Sequence, residues 1–209
     1  MTAAYEVVQN ERRAIRRHRI FRDQTNPFDV FDDKEMIARY RLSLECVTDL
    51  CDLLNDDLKR QTLRCHALPT SLQVFAAFRF FATGTFQSVV GDILGISKSS
   101  TSRCVHAVAC ASTRKVNNFI MFPMDLDTRR QIKEHFYSIA KFPNVLGAID
   151  GTLILIRSPT NDEHVYVCRK GYHAINVQVV CDAKLHFLNI VVKWPGSTHD
   201  HFIFYADNK

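Results

Sequence analysis

The pattern of apolar residues in this chain changes once, near Pro143, and that change limits the fold more than any other feature. Before Pro143, apolar residues recur at the three- and four-residue spacing of amphipathic helices. After it they form short β-branched runs bounded by turn residues, which is the pattern of strands. Helices followed by strands indicate the α+β class. We therefore predict a helical region over residues 23–142 and a strand-containing domain over residues 143–209.

Three segments of the helical region predict helices. "SLECVTDLCDLLNDDL" has one apolar face and can be capped by Ser43. "TSLQVFAAFRFFATG" is apolar nearly all round and begins with Thr70 and Gln73, the pattern of a capping box. A third helix, "DLDTRRQIKEHFYSIAK", would turn these apolar side chains inward: Ile132, Phe136 and Ile139.

Three β-rich runs follow Pro143: "VLGAIDGTLILI", "AINVQVVCD" and "HFLNIVVKW". The second and third are joined by Asp182-Ala183-Lys184, which is a length typical of hairpins. We expect this hairpin to lie beside the first strand.

The segment "FQSVVGDILGISKSSTSRCVHAVACAS" predicts a helix-turn-helix over about residues 87–110. One helix would cover 87–94, and a second would start at Lys98. Gly95 permits the positive φ of a tight turn, and Gly91 leaves space for two helix backbones to cross closely. We expect these apolar residues to face inward: Ile93, Leu94, Ile96, Val105 and Val108.

The first turn of the second helix is polar and basic, as in a helix that presents its N-terminal residues to the major groove of DNA. Hydroxyl and guanidinium groups there can contact phosphates or base edges. The candidate DNA-contacting residues are Lys98, Ser99, Ser100, Ser102 and Arg103. An ordinary helical hairpin with solvated serines is the alternative.

Positive charge is concentrated in two places, although the net charge is only +5. Residues 1–22 contain six arginines and two glutamates, and residues 86–120 contain four basic residues and one acid. Such regions attract nucleic acid and suit import into the nucleus, so we expect a nuclear protein that is also found in the cytoplasm. A solvated helix face or a loose tail would explain the first region equally well.

Other features point to an intracellular protein. No apolar run approaches the ~20 residues that span a membrane, and the N-terminal sequence lacks the apolar core of a signal peptide. The seven cysteines include no C-x-x-C pair, which argues against a zinc ribbon and favours free thiols in a reducing compartment.

Two acids stand out in the strand region. Asp150 lies within the apolar run "GAIDGT", where a carboxylate is costly unless it is paired or binds a metal. Asp200 follows "PGSTH", between His199 and His201. Each has a simpler explanation, because Asp150 with Gly151 can form a turn and Asp200 can be a first-turn helix acid.

The segment "CRKGYH" places two basic side chains between strand candidates, Arg169 and Lys170. They could contact DNA phosphates, and a plain basic loop is the alternative.

The order of these segments resembles the PIF/Harbinger transposase superfamily, and in particular the Harbinger transposase-derived nucleases of animals. The resemblance is carried by "GDILGISKSSTSRCV", "FPNVLGAIDGT", "VCRKGYHAINVQVVCD" and "WPGSTHD", in that order. It covers the chain from about Leu44 onward, and residues 1–22 lie outside it.

The resemblance implies a helical DNA-binding region followed by an RNase H-like catalytic domain of the DDE type, which cleaves DNA with Mg²⁺ or Mn²⁺. Asp150 matches the first family acid, and Asp200 matches a second acidic position. Both are therefore expected to bind metal and to take part in catalysis. The family also implies a Myb-like DNA-binding protein as partner.

Two further family acids would lie downstream of Lys209, one ending a fourth strand and one on a following helix. We therefore expect this chain to be the first part of a nuclease, through truncation, alternative splicing or an incomplete gene model, and to be inactive alone. Two other functions stay open. The chain could be a DNA-binding or adaptor protein that lost the chemistry, or an unrelated helical interaction module.

Overall fold

The computed structural model describes residues 27–59 and 67–206, and the basic segment over residues 1–22 lies outside them. The chain forms two compact units that divide after Arg114. No helix in the described ranges is both long and apolar enough to cross a membrane. The six cysteines in those ranges are free thiols.

The first unit is helical. Its helices are α1 (Pro27–Val30), α2 (Asp33–Tyr40), α3 (Leu44–Leu58), α4 (Thr70–Thr83), α5 (Gln87–Leu94) and α6 (Lys98–Lys115), the last of which crosses the boundary by one residue.

The predicted N-cap of α3 is confirmed, whereas the predicted capping box of α4 is wrong. The hydroxyl of Ser43 accepts a hydrogen bond from the backbone amide of Cys46 at 3.3 Å. At α4, the Thr70 hydroxyl instead donates to Asn55 Oδ1 on α3 at 2.9 Å. The Gln73 side chain donates to the backbone carbonyls of Leu58 and Leu68. Contacts with α3 and with the preceding loop therefore replace the local cap.

Helix α4 is central to the first unit, as its uniform hydrophobicity predicts. Six consecutive residues from Leu72 to Ala77 are buried. The Phe75 ring packs edge-on against Tyr40 and Phe28, with ring centroids 5.2 and 4.9 Å apart. Edge-on aromatic pairs add to the free energy gained from burial alone, so α4 anchors the preceding helices.

The predicted helix pair is present as α5 and α6, joined by residues 95–97. Gly95 has a φ of 66°, and Ser97 caps α6 by accepting from the Ser100 amide at 3.1 Å. Leu94 and Val108 are buried as expected, but Ile93 is 49% exposed and was wrongly assigned to the core. The side of α5 that carries Ile93 is not covered within the described residues.

The second unit combines helices with a small antiparallel sheet. Its elements are α7 (Leu126–Ala140), β1 (Ala148–Leu155), β2 (Ala174–Cys181), β3 (Phe187–Pro195) and α8 (Asp200–Ala206), with short 3₁₀ turns at 116–118 and 163–166. The sheet order is β1-β2-β3. The predicted hairpin and its position beside the first strand are therefore confirmed, and within the described residues β1 pairs only with β2.

Helix α7 belongs to the second unit, although the sequence pattern groups it with the preceding helices. Residues of α7 and residues of the β2–β3 hairpin line the same cavity, of about 610 Å³. Ile132 is buried as predicted, but Ile139 is 69% exposed, so the inward face predicted for this helix is too wide.

The hairpin turn is organised by Asp182. Its Oδ1 accepts the backbone amides of Lys184 and His186, each at 2.8 Å, and its Oδ2 lies 3.0 Å from the His186 ring. Burial acts to raise the pKa of Asp182, but the hydrogen bonds from His186 and Lys184 outweigh it and lower that pKa. The turn therefore fixes the register of the two strands through one carboxylate.

Gly91→Ala is expected to destabilise the first unit. A Cβ at this position would lie 2.6 Å from the backbone oxygen of Ile96 and 3.2 Å from Thr101 Oγ1. Backbone atoms cannot rotate away, so the overpacking should cost about 1–3 kcal/mol of the free energy of unfolding. Chemical denaturation of the protein measures this cost. Without the clash, alanine would stabilise the helix relative to glycine, so a more stable variant would contradict the packing. The control is Asp92→Ala on the exposed side of α5, which should stay within about 0.5 kcal/mol.

Candidate functional site

Asp150 lies in the middle of β1. It is opposite Val179 on β2, and the pairing continues without interruption from Ala148 to Leu155. The alternative that Asp150 and Gly151 form a tight turn is therefore wrong. The Asp150 carboxylate is exposed, and its Oδ1 accepts the backbone amide of Gly151 at 2.8 Å.

Asp200 is the first residue of α8, which packs on the sheet with Ile203 fully buried. Its carboxylate lies directly against Gly151. A Cβ at position 151 would be only 2.7 Å from Asp200 Oδ1 and 2.8 Å from its Cγ. The carboxylate can occupy this position because residue 151 has no side chain.

The two acids therefore lie next to each other along β1. Successive residues of a strand point to opposite faces of the sheet, so Asp200 covers the Gly151 face while the Cβ of Asp150 points to the other. The Asp150 carboxylate nevertheless turns back to the backbone of Gly151, whose amide donates to its Oδ1 at 2.8 Å, so both carboxylates contact this glycine. The structure brings together, at one point of β1, two residues that are fifty positions apart in the sequence.

Asn176 on β2 holds the Asp200 carboxylate in place. Its Nδ2 donates to Asp200 Oδ1 at 2.7 Å and to the backbone oxygen of Thr198 at 2.9 Å. Asn176 is only 3% exposed, and its Oδ1 is buried without a hydrogen-bond partner among the described residues. This residue was missed in the sequence. The sequence did contain an indication of its importance. Asn176 alternates with Ala174 and Gln178 along β2, so it is a polar residue on the buried face of that strand.

A cavity of about 410 Å³ opens beside Asp200. Its walls come from β1, from Asn176, from the turn that precedes β2 and from the loop before α8. Besides Asp200, the polar and charged residues that line it are Thr152, Arg169, Lys170, Tyr172, Asn176, Ser197, Thr198 and His199. Arg169 and Lys170 thus lie on the wall of the same cavity as Asp200, which the sequence could not establish.

Two further side chains near the acids have different surroundings. Cys168 lines the cavity and is buried. Burial acts to raise the pKa of its thiol, but hydrogen bonds from the backbone of Tyr172 and Lys170 outweigh this and lower that pKa. His201 is not part of the cavity lining, and its ring packs 4.7 Å from that of Tyr205.

The donors at this site are oxygens, which suit Mg²⁺ or Mn²⁺ better than a soft metal. They are the carboxylates of Asp150 and Asp200, whereas the amide oxygen of Asn176 is enclosed in the protein. Within residues 27–59 and 67–206, no group of three or more His, Cys, Asp or Glu side chains could hold a metal ion. The two carboxylates, which both contact Gly151, would supply part of a hard-cation site.

The candidate DNA-contacting residues of the first unit are at the start of α6. Lys98, Ser99, Ser102 and Arg103 are exposed, and Ser100 is half-buried with its hydroxyl 2.9 Å from that of Ser97. The structure places these side chains at an accessible helix end. Their contact with DNA stays a prediction.

The sequence of this chain is similar to those of known proteins. Residues 149–207, which span both acids, match the DDE superfamily endonuclease family. "Putative nuclease HARBI1" of Rattus norvegicus and of Homo sapiens are each 36% identical over 172 residues, or 82% of this chain and 49% of theirs. "Protein ALP1-like" of Arabidopsis thaliana is 26% identical over 179 residues, or 82% of this chain and 43% of its own.

The predicted relationship to the Harbinger transposase-derived nucleases is confirmed. The α+β class is confirmed as well, since helices combined with a small antiparallel sheet are compatible with a DDE endonuclease-like domain. The chain spans about half the length of the animal relatives that it matches. No solved structure matches it significantly.

Gly151→Ala is expected to displace the Asp200 carboxylate without removing either acid. The new methyl group would lie 2.7 Å from Oδ1, which is too close, so we expect the carboxylate to rotate and lose its bond to Asn176, at a cost of about 1.5–3 kcal/mol. The side-chain amide resonances of Asn176 in an NMR spectrum should then shift. Thr152→Ala, at the next position of β1, is the control and should leave them unchanged. Unshifted resonances in Gly151→Ala would contradict the contact.

Proposed function

We propose that the protein is a metal-dependent DNA nuclease of Harbinger transposase descent, which breaks phosphodiester bonds at the cavity beside Asp200. One observation carries this proposal. The Asp200 carboxylate is fixed against the strand that bears Asp150, in a cavity whose lining also includes Arg169 and Lys170. Metal-dependent cleavage of a phosphodiester uses carboxylates to bind the cation, and basic side chains nearby can bind the phosphate.

Asp150 and Asp200 would hold the divalent cation, Mg²⁺ or Mn²⁺. DDE endonucleases typically use such ions. When bound, the cation supplies activation of the attacking water or DNA 3′ hydroxyl and stabilises charge on the phosphate. Both acids are exposed and accessible to substrate, and Asp200 is in addition held by Asn176. We therefore assign Asp150 as the leading ligand and Asp200 as the second ligand or the organiser of the site.

Arg169 and Lys170 would bind the DNA backbone next to the acids. Both are exposed on the turn before β2, and both line the cavity. Guanidinium and ammonium groups neutralise phosphates, which positions the strand without selecting a base sequence. The hydroxyls of Ser197 and Thr198 can donate to the same phosphate. The two bases therefore serve binding, and the acids serve the chemistry.

The helix pair over residues 87–110 would provide a separate DNA contact through the exposed first turn of α6. Four of its five candidate residues are exposed, and two of those are basic. A Myb-like DNA-binding protein is the partner that the family relationship suggests. These activities concern the whole protein, which we propose works mainly in the nucleus.

Asp150→Ala is expected to abolish Mn²⁺-dependent nicking of supercoiled plasmid by the full-length protein. Loss of a leading metal ligand should lower the rate at least about 100-fold, because ~3 kcal/mol of activation free energy corresponds to that factor. Conversion of supercoiled to open-circular DNA on a gel measures it. Asp127→Ala removes an exposed acid from the same unit and is the control. Equal nicking by Asp150→Ala and the parent protein would exclude Asp150 from catalysis.

The alternative function is DNA binding without chemistry, in an adaptor protein. It is favoured by the exposed basic side chains of Lys98 and Arg103 in the first turns of α6. DNA binding by such an adaptor would depend on the side chains at the start of α6 and not on those that line the cavity beside Asp200.

Lys98→Glu combined with Arg103→Glu tests DNA binding by α6. If both side chains contact phosphates, the plot of log affinity against log salt should become less steep by about 2, since each contact contributes about 0.9. Fluorescence anisotropy of a labelled duplex at several salt concentrations measures the slope. The control is Lys34→Glu with Lys59→Glu, an equal charge change at exposed positions of the same unit. Equal slopes in the two double variants would contradict a specific role for α6.

A further inference from the structure

We propose that Asn176 is a positioning residue that fixes the Asp200 carboxylate for cation binding. This inference rests on the proposed function and extends it to a residue outside the acids. Asn176 lies on β2 and is 3% exposed, so it acts through Asp200.

The hydrogen bonds determine the orientation of the Asn176 amide. Both partners, the backbone oxygen of Thr198 and Oδ1 of Asp200, are acceptors, so the atom that contacts them must be the nitrogen. Its two hydrogens are then both used. One bond fixes the loop before α8, and the other fixes one oxygen of the carboxylate. Neither bond uses Asp200 Oδ2, which is the oxygen that we assign to the cation.

The amide oxygen of Asn176 indicates a role beyond holding the loop. It is buried and has no hydrogen-bond partner among the described residues. Such a group costs about 1–3 kcal/mol, and buried polar atoms in folded proteins are rarely left in this state. This oxygen is enclosed, so a cation in the cavity would be bound by Asp200 and not by Asn176. The protein therefore keeps a buried polar side chain at a cost to its stability, which supports a role in positioning Asp200.

Gln178 provides a matched comparison on the same strand. It is two residues further along β2, on the same face, and is also buried at 7% exposure. It is not part of the cavity lining. Removing its amide should affect folding about as much as removing that of Asn176, without affecting the cation.

The test is the dissociation constant for Mn²⁺, measured on the protein from the electron paramagnetic resonance signal of the free ion. Asn176→Leu should weaken Mn²⁺ binding by about 10- to 100-fold, as loss of a residue that orients a ligand does. Gln178→Leu should leave it unchanged. In nicking assays, Asn176→Leu should lower kcat and leave the KM for DNA unchanged, because Arg169 and Lys170 are intact.

Asp200→Asn, measured alongside, separates this inference from the proposed function. If Asp200→Asn loses Mn²⁺ and Asn176→Leu keeps it, the role of Asn176 is refuted and the proposed function stands. If the protein does not bind Mn²⁺, or binds it equally after Asp200→Asn, the proposed function fails and the inference fails with it. If Asn176→Leu does not fold, Asn176→Ser takes its place under the same criteria, since serine is too short to make both bonds.

Discussion

The close contact between the Asp200 carboxylate and the backbone of Gly151 is the constraint on which the site depends. The carboxylate occupies the space that any side chain at position 151 would fill. The same oxygen, Oδ1, accepts a hydrogen bond from Asn176 Nδ2 at 2.7 Å. These two contacts restrict the orientation of the carboxylate, so the position of this acid follows from the packing of α8 on the sheet.

The same packing determines what surrounds the acid. The buried face of β2 carries Asn176 and Gln178 where an ordinary sheet would place apolar side chains, so the contact between α8 and the sheet is partly polar. The turn before β2 brings Arg169 and Lys170 to the cavity that Asp200 lines. In the proposed chemistry each charge has its own partner, a cation for the acids and a phosphate for the bases. We propose DNA as the substrate of this chemistry because of the family relationship.

The sequence predicted elements better than contacts. Sequence patterns predict helices α3 to α7 and the three strands but not α1 and α2, and Ser43 is predicted as a cap because its bond is local. Thr70 and Gln73 were misread because their partners lie on α3 and on the preceding loop, which are beyond the reach of a four-residue pattern. Ile93 and Ile139 belong to the apolar faces of their helices, which is why the sequence predicts them to be buried. Both are exposed, because packing between elements distant in sequence determines how much of an apolar face is covered. The two acids were found from their sequence context, whereas Asn176 was missed because its partners are more than twenty residues away.

A crystal structure of the protein soaked in Mn²⁺, with anomalous diffraction recorded at the manganese absorption edge, tests the central claim most directly. The account predicts an anomalous peak within bonding distance of a carboxylate oxygen of Asp150 or Asp200, on the side of the cavity. That peak should be lost in the Asp200→Asn variant under the same conditions. A peak that appears only elsewhere on the protein, or no peak at saturating Mn²⁺, would contradict the assignment of these two acids as the metal site.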